Sequence, residues 1–354
     1  MTGSSRVNRE MIVLARELKG LSQTDLATGI KSSQPTVSRY EAGTAEVPPE
    51  HLHAMASFLE RPLSFFYWQD ALYSASCMYH RKNRRLSVGE IRIIHAKVNL
   101  LRIQAFRLLK SANIKSTYTF HRLDAAKHGG PEGCAREMRR LWQLPMGPVG
   151  NVVRTIERAG GIVFRCPFGP TRVDGISQWI LEDDRTPPVF FVHDEIPGDR
   201  QRWTLAHEIG HIVMHHAPSD GDVEEEANKF SSEFMMPAAE IGPDLRDMTL
   251  AKAAAMKTHW RVSMASIIVR AYQLGKIDEA RQTHLFQQLS FKGYRKREPV
   301  LIPAEEPSMF RDILAFYRKN LGRRLGDICE LLGESESSFM ENYGMSFSNF
   351  RLVG

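Results

Sequence analysis

Apolar positions along the chain change period several times, and each change marks a new kind of element. Residues 6–67 carry apolar residues in short helical spacings broken by abrupt turns, which predicts small packed helices. Leu26, Ala27 and Ile30 form one inward face, and Val37 and Tyr40 another. Leu14, Leu18, Leu52, Met55, Phe58 and Leu59 are expected to fill the rest of that core. Val88, Ile91, Ile94, Val98, Leu101, Phe106 and Leu109 then keep a helical period through 88–111. TYTFHRLDAAKHGGPEG predicts a loop with a cap, and a helix is expected from about Cys134 to Trp142, until LPMGPVG breaks it.

From Asn151 the character changes. One helix leads into three β-like runs, GIVF (161–164), GISQWI (175–180) and PVFFV (188–192), separated by Gly and Pro turns as in a small sheet. Helical spacing returns at about Gly198–His216 and Glu224–Met235, the second stopped near Pro237. LAKAAAMKTHWRVSMASIIVRAYQLGKI predicts two or three short helices, and KGYRKREPVLIPAEEP a linker rich in proline and charge. The last fifty residues read as a small helical end piece, and no low-complexity tract or clean repeat stands out.

A chain of 354 residues is long enough for two or three cores, and 42% hydrophobic with 25% charged residues is a soluble globular composition. No apolar run approaches the ~20 residues that span a bilayer. The opening MTGSSRVNRE lacks the apolar core of a signal peptide. Cys77, Cys134, Cys166 and Cys329 are scattered without a C-x-x-C pair, which disfavours a disulfide scaffold and a thiolate zinc site. A reducing cytoplasm is therefore the expected location. Net charge is +6 and the isoelectric point about 9.1. Much of the excess lies between 80 and 115, where Arg81, Lys82, Arg84, Arg85, Arg92, Lys97, Arg102, Arg107, Lys110 and Lys115 face Glu90 alone. Such a run is either a solvated helix face or a phosphate-binding stretch.

LSQTDLATGIKSSQPTVSRYEAG (21–43) gives this charge a context. Ser22 can cap a helix with Asp25 three residues on, Ser33 can cap the next, and Pro35 falls in its first turn. Gly43 stops it. Two short helices joined so tightly form a helix-turn-helix, whose second helix enters the major groove. Its outward residues would be Gln34, Thr36, Ser38 and Arg39, and Gln and Arg make two-point contacts with adenine and guanine edges. Gln23 is placed to meet a phosphate. The stretch resembles the XRE (Cro/C1-type) helix-turn-helix family through SQTDLA, QPTVSRYE and Gly43. That resemblance implies a double-stranded operator and a homodimer reading paired half-sites.

WTLAHEIGHIVMHH (203–216) carries a second chemistry. His207 and His211 lie four apart, so a helix places them on one face where two imidazoles can meet one metal. Glu208 can take a proton from an activated water. A third ligand is needed, and VEEEANKFSSEFMMP is its expected source. Glu226, in register with Phe230, is the first choice and Glu225 the second, with Glu224 and Glu225 expected to point outward. RWTLAHEIGH and EEEANKFSSEFMMP, preceded by PVFFV, resemble the ImmA/IrrE metallopeptidase family. The resemblance implies zinc, with manganese as an alternative, on His207, His211 and Glu226, and Glu208 as general base. His193 stands where that family often has Asn, and is expected to be a hydrogen-bonded structural group. His215 and His216 are expected to interact with the helix carboxyl end.

Together these readings describe an α+β, mostly helical chain. A five-helix DNA-binding head (6–68) is expected, then a basic helical connector (69–145) and a zincin-like metallopeptidase domain with a small sheet (146–240). A helix-turn-helix-like extension (241–295) and a linker with a small helical segment (296–354) complete it. Three functions fit: a regulator whose peptidase domain cleaves a helix-turn-helix repressor under stress, a non-catalytic sensor whose metal domain binds a ligand, or an antitoxin-type autorepressor.

Overall fold

The computed structural model describes residues 6–73, 87–112, 117–168, 173–179, 187–215 and 221–348. The N-terminal helices are α1 (Arg9–Leu18), α2 (Gln23–Gly29), α3 (Gln34–Ala42), α4 (Pro49–Phe58) and the long α5 (Val88–Ala112). Next come α6 (Gly130–Leu141), α7 (Val152–Arg158), the strands β1 (Ile162–Cys166), β2 (Gly175–Gln178) and β3 (Val189–His193), and α8 (Gly198–Met214). Then follow α9 (Val223–Met235), α10 (Ala238–Ile241), α11 (Leu250–Trp260), α12 (Met264–Gln273) and α13 (Glu279–Phe291). The chain ends in α14 (Met309–Lys319), α15 (Leu325–Leu332) and α16 (Glu336–Ser348). Among the described residues no helix is long and apolar enough to cross a membrane.

The chain divides into two compact units. One gathers α1–α5 with α14–α16, and the other α6–α13 with the sheet. The expected connector 69–145 is therefore not a body of its own, because α5 packs with the head and α6 with the sheet-bearing unit.

In the first unit the turn chemistry acts as the sequence predicts. Ser22 and Asp25 cap α2 reciprocally, and Ser33 caps α3. Gly43 ends α3 at φ 72°, a conformation that costs glycine nothing. Met11, Leu14, Leu26, Val37, Leu52, Met55 and Leu59 form the core. Phe58, expected inside, is 37% exposed. Its ring lies over Gly29, where a Cβ would come within 2.5 Å of it. A 3₁₀ turn at Leu63–Tyr67 adds Phe65 and Phe66 to the core, and α5 adds Ala96, Leu100 and Ile103.

The terminal helices hold an unexpected copy. The turn between α15 and α16 matches the one between α2 and α3 position for position. Ile328, Cys329, Leu332 and Phe339 are buried as Leu26, Ala27, Ile30 and Val37 are. Gly333 takes the left-handed backbone at φ 63° that Lys31 takes at φ 54°. Asp327 accepts from the Arg324 amide as Asp25 does from that of Ser22. The Oγ of Ser335 accepts from the Ser338 amide as that of Ser33 does from Thr36. This helix-turn-helix lies in the end piece; the 241–295 segment expected to resemble one carries the same framework in α11 and α12, with Arg261 left-handed at φ 56° and Ser263 capping α12.

In the second unit the strand order is β1-β3-β2, with β1 parallel and β2 antiparallel to β3. Central β3 is buried throughout, which explains its uninterrupted apolar run. α8 packs on β2 and β3 and crosses α9 at Gly210, where a Cβ would stand 3.3 Å from the Ala227 backbone.

The expected linker is held down. The Glu305 amide donates to Gln201 Oε1 at 2.7 Å, and Gln201 Nε2 donates to the Glu305 carbonyl at 2.9 Å. The Glu305 carboxylate accepts from Arg202 and from the Val153 amide. Glu298 accepts from Lys257 Nζ at 2.6 Å. Proline and charge predict an exposed tether, but these acids satisfy buried cations of the unit, as burial of charge requires. The segment crosses the first turn of α8 so closely that a Cβ on Gly198 would lie 2.3 Å from the Pro303 carbonyl oxygen.

Candidate functional site

The head presents α3 outward. Gln34 and Arg39 are exposed, and Thr36 and Ser38 half-exposed. The Thr36 hydroxyl lies 2.9 Å from that of Ser33, so it serves the helix cap as well as the surface. Behind them runs a polar chain that links separate helices. Arg16 donates twice to the Glu41 carboxylate, at 2.6 and 3.0 Å, and once to the Leu21 carbonyl. Glu41 accepts from Gln23 Nε2 at 2.9 Å, and Gln23 Oε1 accepts from Gln34 Nε2 at 2.7 Å. Gln23 thus orients Gln34 and is itself fixed by a buried ion pair. Arg16 and Glu41 were not among the expected site residues; a charged residue on the otherwise apolar face of α1 is the signal that could have found them.

The basic stretch contributes less surface charge than its composition predicts. Arg102 is buried with its guanidinium over Tyr73, and burial pulls its pKa down to about 10. Arg107 pairs with Asp70 at 2.5 Å and stacks 3.7 Å above the Trp68 ring. Arg81, Lys82, Arg84, Arg85 and Lys115 lie outside the described residues.

In the second unit α8 brings His207 and His211 together with ring centroids 4.6 Å apart and Nε2 atoms 2.9 Å apart. The carboxylate that joins them is Glu224. Its oxygens lie 3.6 Å from His207 Nε2 and 3.3 Å from His211 Nε2. Among the described residues these three form the one group of His, Cys, Asp or Glu able to share a metal ion, with ligand atoms all within 4.8 Å of one another. Burial opposes charge on Glu224, but the two imidazoles beside it outweigh that and hold the carboxyl well below its usual range.

The expected third member, Glu226, is elsewhere: its Oε2 lies 2.9 Å from His215 Nε2. Glu225, the second choice, is exposed and pairs with Lys229. The physical reason is the close crossing at Gly210 and Ala227. α9 meets α8 along Glu224, Ala227, Asn228 and Ser231, residues at helical spacing that flank this contact. Asn228 Oδ1 lies 3.0 Å from His207 Nδ1, and an amide oxygen only accepts, so Nδ1 carries the hydrogen and Nε2 faces Glu224 with its lone pair.

Two imidazole nitrogens and a carboxylate oxygen are a donor set suited to zinc. Ligand atoms about 2.0–2.1 Å from a tetrahedral zinc ion lie roughly 3.3 Å apart. The observed separations of 2.9, 3.3 and 3.6 Å bracket that value, so the residues fit the group.

Glu208 points toward the sheet side of α8. Its Oε2 accepts from Ser177 Oγ on β2 at 2.6 Å. Gly175 makes this approach close, since a Cβ there would lie 2.4 Å from Thr204 and 3.6 Å from Glu208. His193 is buried at the end of β3, where Nδ1 accepts from the Glu195 amide at 3.2 Å and the ring stands edge-on to Phe168. The ring of His215, expected near the carboxyl-end dipole, turns instead to His211 and Glu226. His216 lies outside the described residues.

Residues 156–272 match the family model of the IrrE N-terminal-like domain, and residues 12–66 match a helix-turn-helix family model. No curated protein matches the chain.

Proposed function

Because the chain joins an XRE-type helix-turn-helix domain to an ImmA/IrrE-type domain, we propose that it is a transcriptional regulator whose second domain hydrolyses a peptide bond in a helix-turn-helix repressor. The observation that carries the hydrolytic half is the convergence of His207, His211 and Glu224 on one point, beside Glu208 on the same helix.

A divalent ion, zinc or manganese, would be held by His207, His211 and Glu224, and when bound it supplies a water of lowered pKa and a polarised scissile carbonyl. Glu208 takes the proton of the attacking water and returns it to the leaving amine. The Ser177 hydroxyl holds one Glu208 oxygen and leaves the other for that water. In the head, Gln34 and Arg39 read base edges, with Thr36 and Ser38 beside them, and Gln23 meets a phosphate while holding Gln34. The chain acts as a homodimer reading paired half-sites, and the cytoplasm is its place of action.

The test is Glu208→Gln in the full chain, co-expressed with a helix-turn-helix repressor. Metal content is expected to stay at the wild-type level while cleavage is abolished. Cleavage at the wild-type rate would sink the peptidase half. An operator footprint that depends on added zinc, with no cleavage by wild type, would favour the sensor function.

A further inference from the structure

The imidazole of His211 has two nitrogens, and the proposed metal site uses only one. The other, Nδ1, lies 2.8 Å from Nδ1 of His215. The far nitrogen of His215, Nε2, lies 2.9 Å from Glu226 Oε2. Three side chains from two helices therefore form a line that ends at the cluster. The His215 side chain is 3% exposed, so water does not compete for its ring nitrogens.

With His215 neutral, donor counting places the hydrogens on this line. An ionised carboxylate only accepts, so His215 Nε2 carries the hydrogen shared with Glu226. A neutral imidazole has one N–H, so His215 Nδ1 is bare and accepts. The hydrogen between the two Nδ1 atoms then belongs to His211. That leaves His211 Nε2 with a lone pair, directed to the same point as His207 Nε2 2.9 Å away. Asn228 Oδ1 imposes the same tautomer on His207 by a different route. The sequence places these groups without waste: His207 and His211 on α8 and His215 at its C-cap recur every four residues, and Glu226 comes from the first turns of α9.

We propose that His215 and Glu226 are positioning residues, which fix the tautomer and ring orientation of His211 so that its Nε2 is always presented to a divalent cation. This rests on the metal-site reading of His207, His211 and Glu224. Such outer partners typically change metal affinity by about 10–100-fold. Glu226 is then the carboxylate that supports the site, and Glu224 the carboxylate that enters it.

The experiment is competition of zinc between the purified full chain and a chromophoric chelator, with tautomers read by long-range ¹⁵N–¹H correlation on histidine-labelled protein. His215→Phe keeps the ring but removes the acceptor, and is expected to weaken zinc binding about 10–100-fold. His211 is expected to lose its Nδ1–H signature in the same variant. His215→Asn, whose amide oxygen can accept near the position of Nδ1, is expected to bind within a few-fold of wild type. Glu226→Gln, which can still accept from His215, is expected to lose less than Glu226→Ala.

The outcomes separate the two readings. If wild type binds zinc and His207→Ala does not, while His215→Phe and Glu226→Ala bind as wild type, the relay is overturned and the metal site stands. If Glu226→Ala abolishes binding and Glu224→Ala leaves it intact, Glu226 is itself the ligand and the relay is overturned. If wild type binds no zinc, the metal site fails and the relay with it.

Discussion

The helix-turn-helix formed by α2 and α3 and the one formed by α15 and α16 share the serine cap of their second helix, a left-handed turn position and their buried positions. Their outward faces are opposed. Where α3 carries Gln34, Thr36, Ser38 and Arg39, α16 carries Glu336, Ser338, Met340 and Glu341. Where α2 begins with Gln23, α15 begins with Leu325. Carboxylates at those steps would repel a phosphate backbone and leave a guanine edge without a donor. The turns differ as well. Glu334 is buried, 2.8 Å from Arg61 and 2.9 Å from Gln104 Nε2, so the second turn is docked within its unit. The framework decides how two helices cross. The few residues it leaves outside decide whether the pair reads a base sequence or supports its neighbours.

The sharpest way to break this comparison is at the shared turn residue. Gly333 has φ 63°, and a Cβ there would lie 2.4 Å from the Trp68 ring and 2.6 Å from Phe65. Gly333→Ala adds a left-handed backbone penalty to an overpacked contact, together roughly 2–4 kcal/mol. Chemical denaturation of the full chain, followed through the first unit, should show a loss of that size. A loss below about 1 kcal/mol, the low end for backbone strain of this kind, would mean that the turn is not docked as described.

A smaller contrast is expected at the outward step shared by Arg39 and Glu341. Arg39→Ala should weaken specific operator binding by about 1–3 kcal/mol and leave non-specific binding nearly unchanged. Glu341→Ala should leave both as they are. Titration of operator and scrambled duplexes at fixed salt measures the pair. Equal losses on both duplexes for Arg39→Ala would make Arg39 a phosphate contact, and a large effect of Glu341→Ala would make α16 part of the DNA surface.

The same contrast explains what the sequence made legible. Caps, proline in a first turn and helical spacing are local signals, so α2, α3 and the histidines of α8 are visible in it directly. The terminal helix-turn-helix is not, because Arg324 stands where the first has a Ser cap, and its core positions match in burial and not in identity. Long-range pairing is hidden for a related reason. Arg16 and Glu41, or Glu305 and Arg202, are ordinary charges until the fold brings them together. The third carboxylate follows this rule too. Glu226 shares a register with Phe230, but the helix crossing is set by Gly210 and Ala227, and small residues mark a contact without announcing it. Once that crossing is known, Glu224 and Asn228 follow from the helical period alone.

The smallest expected effect is also the most specific to the comparison. Lys31 occupies the left-handed turn position of the first framework at φ 54° without glycine. A non-glycine residue there costs about 1–2 kcal/mol relative to right-handed backbone. Glycine removes that penalty but gives back part of it, because the unfolded chain gains roughly 0.5–1 kcal/mol of conformational freedom. Lys31 is exposed, so no packing is lost. Lys31→Gly should therefore raise stability by no more than about 1 kcal/mol, with operator binding unchanged, whereas Gly333→Ala at the matching step lowers it. Denaturation midpoints of the two variants, measured side by side, decide the point. Two shifts of the same sign would mean that the two turns are not equivalent in backbone, and that the likeness of the frameworks ends at their buried residues.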